Sequence, residues 1–251
     1  MVIVTMLWSC TSKQEKMENR MRDFISAYET EIIPLFKEVN LANWEANVNG
    51  TDEAWARNEK ASIAYISFFT DKEAFAELKE LKESELVKEP LLARQLELIY
   101  NMYLQGQIDT SLISQQVKME TEINKKYGNF RATVNGKQVS DNELEGILRS
   151  STNSTELKEA WEGHKMIGPV VADDVIKLVR HRNKIAQQLG FGNYHQMSLE
   201  LSGQKPEEVT KIFDELDSLT RNNFAQLKGD IDAYFSKRYR VPVAELKPLH
   251  Y

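Results

Sequence analysis

The stretch MENRMRDFISAYETEIIPLFKEVNLANWEAN, residues 17–47, decides the fold class of this chain. Its apolar residues recur at steps of three and four, which aligns them along one face of an α-helix. They are Met21, Phe24, Ile25, Tyr28, Ile32, Leu35, Phe36, Val39 and Trp44. The pattern predicts one long amphipathic helix that begins near Met17 and stops before Asn49-Gly50.

The same helical period continues through most of the chain, and polar residues indicate where each helix starts. The side-chain oxygen of Thr51 or Asp52 can accept from an unpaired amide at the start of a second helix. Pro90 suits a first turn because it has no amide to leave unpaired there, and Gly106 ends that helix. Further helices are predicted after Thr70-Asp71, over about 109–127 up to Gly128, after Ser140-Asp141, after Ser154-Thr155, over 170–189 and from Pro206.

One segment departs from the helical pattern. Residues 130–139 alternate apolar and polar around Asn135-Gly136, and such a pair tolerates the positive φ angles of a tight two-residue turn. A lone hairpin is marginally stable in water, so we expect it to lie against the helices. The predicted fold is therefore mostly α, built of long helices, with one small β-hairpin at about 130–139.

Arg182 interrupts the apolar stripe of the helix predicted over 170–189, between Leu178 and Ile185. A guanidinium in an apolar row needs a partner, or it must reach water along its own aliphatic stem.

The composition excludes several classes of protein. Lysine and arginine number 32 and aspartate and glutamate 38, which gives a net charge of −6. The chain has no long basic tract, so nucleic acid is not expected as a partner. It has one cysteine, so neither an internal disulfide nor a cysteine-rich metal site can form.

That cysteine follows an apolar stretch, and Leu7-Trp8-Ser9-Cys10 resembles the lipobox of bacterial lipoproteins. The resemblance predicts a leader over residues 1–9, lipidation at Cys10, a tether over 10–16 and a helical domain over 17–251. It also predicts an exported protein held on the membrane by its lipid, facing the periplasm or the cell exterior. The alternative is an apolar N-terminus with a structural thiol.

Short motifs connect the chain to a known family. Glu159-Ala160-Trp161-Glu162-Gly163 and Asn43-Trp44 resemble segments of the angiotensin-converting-enzyme family of zinc peptidyl-dipeptidases. Arg182-Asn183-x-x-Ala186, Gly190-Phe191 and Asn193-Tyr194 resemble a pattern shared more widely, with thimet oligopeptidases and F-type oligoendopeptidases. The resemblance extends over nearly everything after the leader and corresponds to the N-terminal portion of a family member.

The resemblance implies a mostly α, long-helix zincin-type peptidase with two lobes and a deep channel, of which this chain would form the N-terminal lobe. Its early helices would form a lid over the channel. Such an enzyme releases dipeptides from peptide C-termini by means of zinc, held by the two histidines of an HExxH helix and a downstream glutamate. The four histidines here are His164, His181, His195 and His250, and no two are four residues apart. We therefore predict no catalytic residue and no metal ligand in this chain, and no peptidase activity of the chain alone.

The partners that follow from the resemblance are peptide substrates and a C-terminal half of the peptidase, which would carry the zinc. The resemblance also implies an anion site, in which Trp161 and Lys165 would take part. Relatives have a tryptophan at the position of His164 and an arginine at that of Lys165. Lysine keeps the positive charge but lacks the planar donors of arginine, so chloride dependence does not follow.

Two other interpretations remain at this stage. The chain could be a complete, non-catalytic helical lipoprotein that binds peptides or a partner protein. It could also be a fragment of a metallopeptidase similar to F-type oligoendopeptidases.

Overall fold

The computed structural model describes residues 12–134 and 136–251, and it is mostly helical, as predicted. The helices are α1 (Lys13–Asn49), α2 (Asp52–Phe68), α3 (Lys72–Glu83), α4 (Pro90–Gln105), α5 (Thr110–Asn129), α6 (Asp141–Ser150), α7 (Ser154–Lys165), α8 (Ile167–Gln188), α9 (Tyr194–Leu201) and α10 (Pro206–Tyr239). Strands β1 (Ala132–Val134) and β2 (Lys137–Val139) lie between α5 and α6, and two 3-10 helices, Val243–Glu245 and Pro248–His250, follow α10. In the described ranges, no helix has the length and apolar character needed to cross a bilayer.

The first helix starts earlier than the apolar pattern predicts. The Ser12 hydroxyl accepts a hydrogen bond from the Glu15 amide at 3.0 Å, and this cap starts α1 at Lys13 rather than near Met17. Residues 13–16, predicted as part of a tether, are therefore helical. The predicted leader (1–9) and the lipidation residue Cys10 lie outside the described residues.

Several other predicted helix starts are confirmed, whereas α8 begins at Ile167 rather than at residue 170. Thr51 caps α2 through its hydroxyl, and Asp71 caps α3 through its carboxylate. The helix predicted after Ser140-Asp141 is α6, and Ser140 and Glu143 form a reciprocal capping box at its start. Two further boundaries differ: Asn153 caps α7, which begins at Ser154, and α5 continues through Gly128 to Asn129.

The described helices divide into two compact units. The first contains the chain up to Thr121 together with His181–Gly203, and the second contains Glu122–Arg180 together with Gln204–Tyr251. In the first unit α1, α2, α3 and α4 enclose an apolar core whose buried members include Met21, Phe69, Leu78, Leu81, Leu96 and Tyr103.

The hairpin belongs to the second unit and packs on α6 and α7. Its antiparallel register pairs Ala132 with Val139 and Val134 with Lys137, which confirms the predicted hairpin. Gly136 has a φ of 75°, as the turn requires, whereas Asn135 is outside the described residues. Ala132, Leu144 and Ala160 form the buried contact between the hairpin and these helices.

Small residues of α7 permit this contact. Ala160 is fully buried, and a β-carbon added to Gly163 would lie 3.0 Å from Cγ2 of Val134. The alanine and the glycine of the segment Ala160-Trp161-Glu162-Gly163 therefore let the hairpin approach the helix closely.

A second close approach lies at the end of α4 in the first unit. A β-carbon added to Gly106 would lie 2.2 Å from the carbonyl oxygen of Phe69, which is backbone and has little freedom to move. The same carbonyl accepts a hydrogen bond from Nε2 of Gln107 at 3.2 Å.

We expect Gly106→Ala to lower the free energy of unfolding by about 1–3 kcal/mol, because the new methyl overlaps the Phe69 carbonyl. Urea denaturation followed by circular dichroism measures this difference. Gly229→Ala, in α10, is the matched control, since no atom lies within 4 Å of its added β-carbon. It should raise stability by about 0.5–1 kcal/mol through helix propensity. Equal effects of the two substitutions would contradict the steric explanation.

Candidate functional site

A cavity of about 200 Å³ lies inside the first unit. Helices α2, α4, α5, α8 and α9 contribute to its wall, which is mainly apolar and aromatic. The lining residues are Tyr65, Ile66, Phe69, Met102, Gln105, Gly106, Ile108, Ile113, Gln116, Ile185, Tyr194 and Met197. Apolar walls with a few polar side chains are typical of sites for small ligands or for side chains of a bound peptide.

An ion pair stands beside this cavity. Arg182 of α8 donates to Oε1 of Glu120 from Nη2 at 2.7 Å and from Nε at 3.2 Å. Gln116, which lines the cavity, donates to the same oxygen at 2.9 Å. The guanidinium carbon of Arg182 also lies 5.0 Å from the ring centroid of Tyr194, another lining residue. Arg182 therefore has the partner that its place in an apolar stripe requires.

The neighbouring motif residues build the turn that joins α8 to α9. Oδ1 of Asn183 accepts from the backbone amide of Tyr194 at 2.9 Å. Gly190 has a φ of 89°, and the amide of Phe191 donates to the carbonyl of Ala186 at 2.9 Å. Together these bonds fix Tyr194 and Met197 at the cavity wall. The structure thus brings Arg182, Asn183 and Tyr194 together in one arrangement.

The chain matches one protein family over most of its length. Residues 15–250 match the model of the peptidase family M2, angiotensin-converting enzyme. This chain belongs to the angiotensin-converting enzyme family. The motifs just described therefore lie in a peptidase fold, and the family relationship implies peptides as substrates.

Peptidases of the angiotensin-converting enzyme family depend on zinc. Across residues 12–134 and 136–251, His, Cys, Asp and Glu side chains form no group of three or more that could hold a metal ion. Two histidines have backbone partners: His181 donates to the carbonyl of Leu112 at 2.9 Å, and Nδ1 of His250 accepts from the amide of Lys247 at 2.9 Å. His164 lies 3.3 Å from a carboxylate oxygen of Asp141, and His195 is exposed.

The two residues assigned to an anion site by resemblance lie one turn apart on α7. The ammonium of Lys165 is 5.7 Å from the ring centroid of Trp161, within the range of a cation–π contact. Trp161 is half-buried and Lys165 is exposed. The structure therefore places Trp161 and Lys165 together, with the ammonium of Lys165 over the ring of Trp161.

Sequence reasoning missed the cavity itself. In the linear sequence, its lining residues look like any other residues of an apolar or polar helix face. Examples are Tyr65, Met102, Ile113 and Gln116. Glu120 was also not predicted. The position of Arg182 in an apolar stripe did indicate that a partner, such as an acid, lies near Arg182.

A double-mutant cycle on Glu120→Ala and Arg182→Ala should give a coupling energy of about 1 kcal/mol, measured by urea denaturation. The pair is mostly shielded from water, with side-chain exposures of 28% and 31%, and each partner has further contacts. The matched control is Lys205 with Glu208, which are 73% and 64% exposed and should show a coupling near zero. A coupling no larger than that of the control would show that Arg182 contributes through packing alone.

Proposed function

We propose that this chain supplies the peptide-binding portion of a zinc peptidyl-dipeptidase of the angiotensin-converting enzyme family. In this proposal the zinc ligands belong to polypeptide outside these 251 residues. One observation carries it: the family match spans residues 15–250, yet the histidines within that span are far apart in sequence or engaged with other partners.

The histidine spacing in the sequence supports placing the zinc ligands outside this portion. An HExxH helix works because histidines four residues apart point in the same direction. The spacings between successive histidines here are 17, 14 and 55 residues, since they stand at 164, 181, 195 and 250. No hydrolytic step is therefore assigned to side chains of this chain.

Exposed apolar faces in the second unit support a further polypeptide. Helix α10 runs over 34 residues and has no buried side chain. Large apolar residues of α8 and α10 are exposed to water: Val170, Val175, Ile176, Val179, Ile212, Phe213, Leu216, Leu219, Phe224, Leu227 and Tyr234. Continuous apolar faces of this extent indicate a surface that another polypeptide covers. We assign this cover to the zinc-bearing part of the peptidase.

Within the first unit, α1 suits the role of a lid over a bound peptide. Ile33, Phe36 and Trp44 of α1 are 60%, 56% and 72% exposed. These side chains form apolar area on the outside of a helix whose opposite face is packed in the core. A lid helix needs an exposed apolar face of this kind, because that face contacts the substrate when the lid closes.

The proposal predicts that the purified chain does not release dipeptides from peptides in the presence of zinc chloride, because it places the zinc ligands in other polypeptide and the described residues form no group of three metal-binding side chains. Mass spectrometry of the peptide measures hydrolysis, and atomic absorption after desalting measures bound zinc. Fluorescence anisotropy of a labelled peptide measures binding without cleavage. Stoichiometric zinc together with dipeptide release would contradict the proposal.

We also propose that the protein is exported and lipidated at Cys10. The support is the lipobox-like segment Leu7-Trp8-Ser9-Cys10. In a bacterial host fed with an alkyne fatty acid, the protein should incorporate the label and fractionate with membranes. Cys10→Ser should lose the label and leave the membrane fraction. Equal labelling of the two proteins would refute lipidation at this residue.

A further inference from the structure

A second cavity in the first unit has walls of a different chemical character. Its volume is about 140 Å³, and it lies between α1, the end of α2, the start of α3 and α4. Its lining consists of four aromatic residues, two acids and two alanines: Phe24, Tyr28, Phe68, Tyr103, Glu31, Asp71, Ala27 and Ala74.

The four rings form a connected cluster. The ring centroids of Tyr28 and Phe68 are 5.8 Å apart, those of Phe68 and Tyr103 are 5.9 Å apart, and those of Phe24 and Tyr103 are 6.2 Å apart. The Tyr28–Phe68 and Phe68–Tyr103 pairs are tilted, the Phe24–Tyr103 pair is edge-to-face, and all four residues line the cavity. The faces of aromatic rings carry partial negative charge. Aromatic cages of this kind attract cations that carry alkyl groups.

The only charged side chains in the lining are the two carboxylates. Neither Glu31 nor Asp71 forms an ion pair with a residue of the part of the chain that the structure describes. Burial is the main cause that raises the pKa of Tyr103, and the negative charges of Asp71 and Glu31 raise it further. Both carboxylates therefore act on the same hydroxyl, and the lining has two negative side chains and no positive one, although Oδ1 of Asp71 also accepts from two amides at the start of α3.

We propose that this cavity binds an alkylammonium group, such as a trimethylammonium head or the end of a lysine side chain. The aromatic walls would contact the alkyl carbons, and Glu31 and Asp71 would balance the charge. A cavity of about 150 Å³ holds a benzene-sized ligand, so the volume here suits a group of that size. A bare metal ion fits poorly, because Ca²⁺ takes six to eight oxygen ligands and this lining offers two carboxylates.

This inference requires neither zinc nor the hydrolysis of a peptide bond, and choline binding to the chain is measured without either. Its failure and the failure of that function are therefore distinguishable by the experiments that test them.

Isothermal titration calorimetry of the full chain tests this proposal. The two ligands are choline and its neutral isostere 3,3-dimethylbutan-1-ol. Choline should bind at least about tenfold more tightly than the alcohol, and added salt should weaken choline binding. N-acetyl-lysine methylamide and its trimethylated form are tested in parallel. Tighter binding of a lysine derivative assigns the site to peptide side chains, and tighter binding of choline assigns it to a free ligand; either result upholds the proposal.

Three variants locate the site. Glu31→Gln and Asp71→Asn should each weaken choline binding by about tenfold. Asparagine caps helices as well as aspartate does, so Asp71→Asn retains the start of α3. Glu15→Gln, on the same helix and outside the cavity lining, should bind as the unmodified protein does. The proposal is overturned if the alcohol binds as tightly as choline, if choline does not bind at millimolar concentrations, or if all three variants behave alike.

Discussion

The packing of Phe69 is the constraint on which the first unit depends. Its ring is 5% exposed and lies 5.4 Å, between centroids, from each of the rings of Tyr65, Phe68 and Tyr103. Its carbonyl lies against Gly106, at the end of α4. One residue therefore joins the end of α2 to the end of α4 through both its side chain and its backbone. Each of the two cavities has walls from this cluster, because Phe69 lines the first and Phe68 and Tyr103 line the second.

The family motifs serve mainly to build the fold in this portion of the protein. Ala160 and Gly163 make room for the hairpin, and Asn183 holds the turn after α8. Arg182 joins α8 to Glu120 of α5. The residues that mark this chain as a member of the peptidase family therefore have structural contacts here. For the same reason, a match in these motifs shows the family without locating the catalytic chemistry.

Much of the fold is predictable because its signals are local. Thr51, Asp71 and Ser140 cap helices through atoms two or three residues away, so the linear sequence contains both partners of each bond. The start of α1 was placed too late, because apolar periodicity says nothing about the exposed turn that Ser12 caps. Of the candidate site, Arg182 and its need for a partner were predictable. The cavity was not predictable, since its lining residues are spread along the sequence from Tyr65 to Met197.

The amino-acid sequence by itself determined the helical class, the hairpin, the family and the lack of an HExxH motif, because each depends on neighbours within a few positions. Only the tertiary structure decided that Glu120 is the partner of Arg182 and that Glu31 and Asp71 share an aromatic cavity. Those pairs lie far apart along the chain. Tertiary packing brings the members of each pair together. The sequence has 38 acidic residues, and local patterns do not show which of them lies near a given residue.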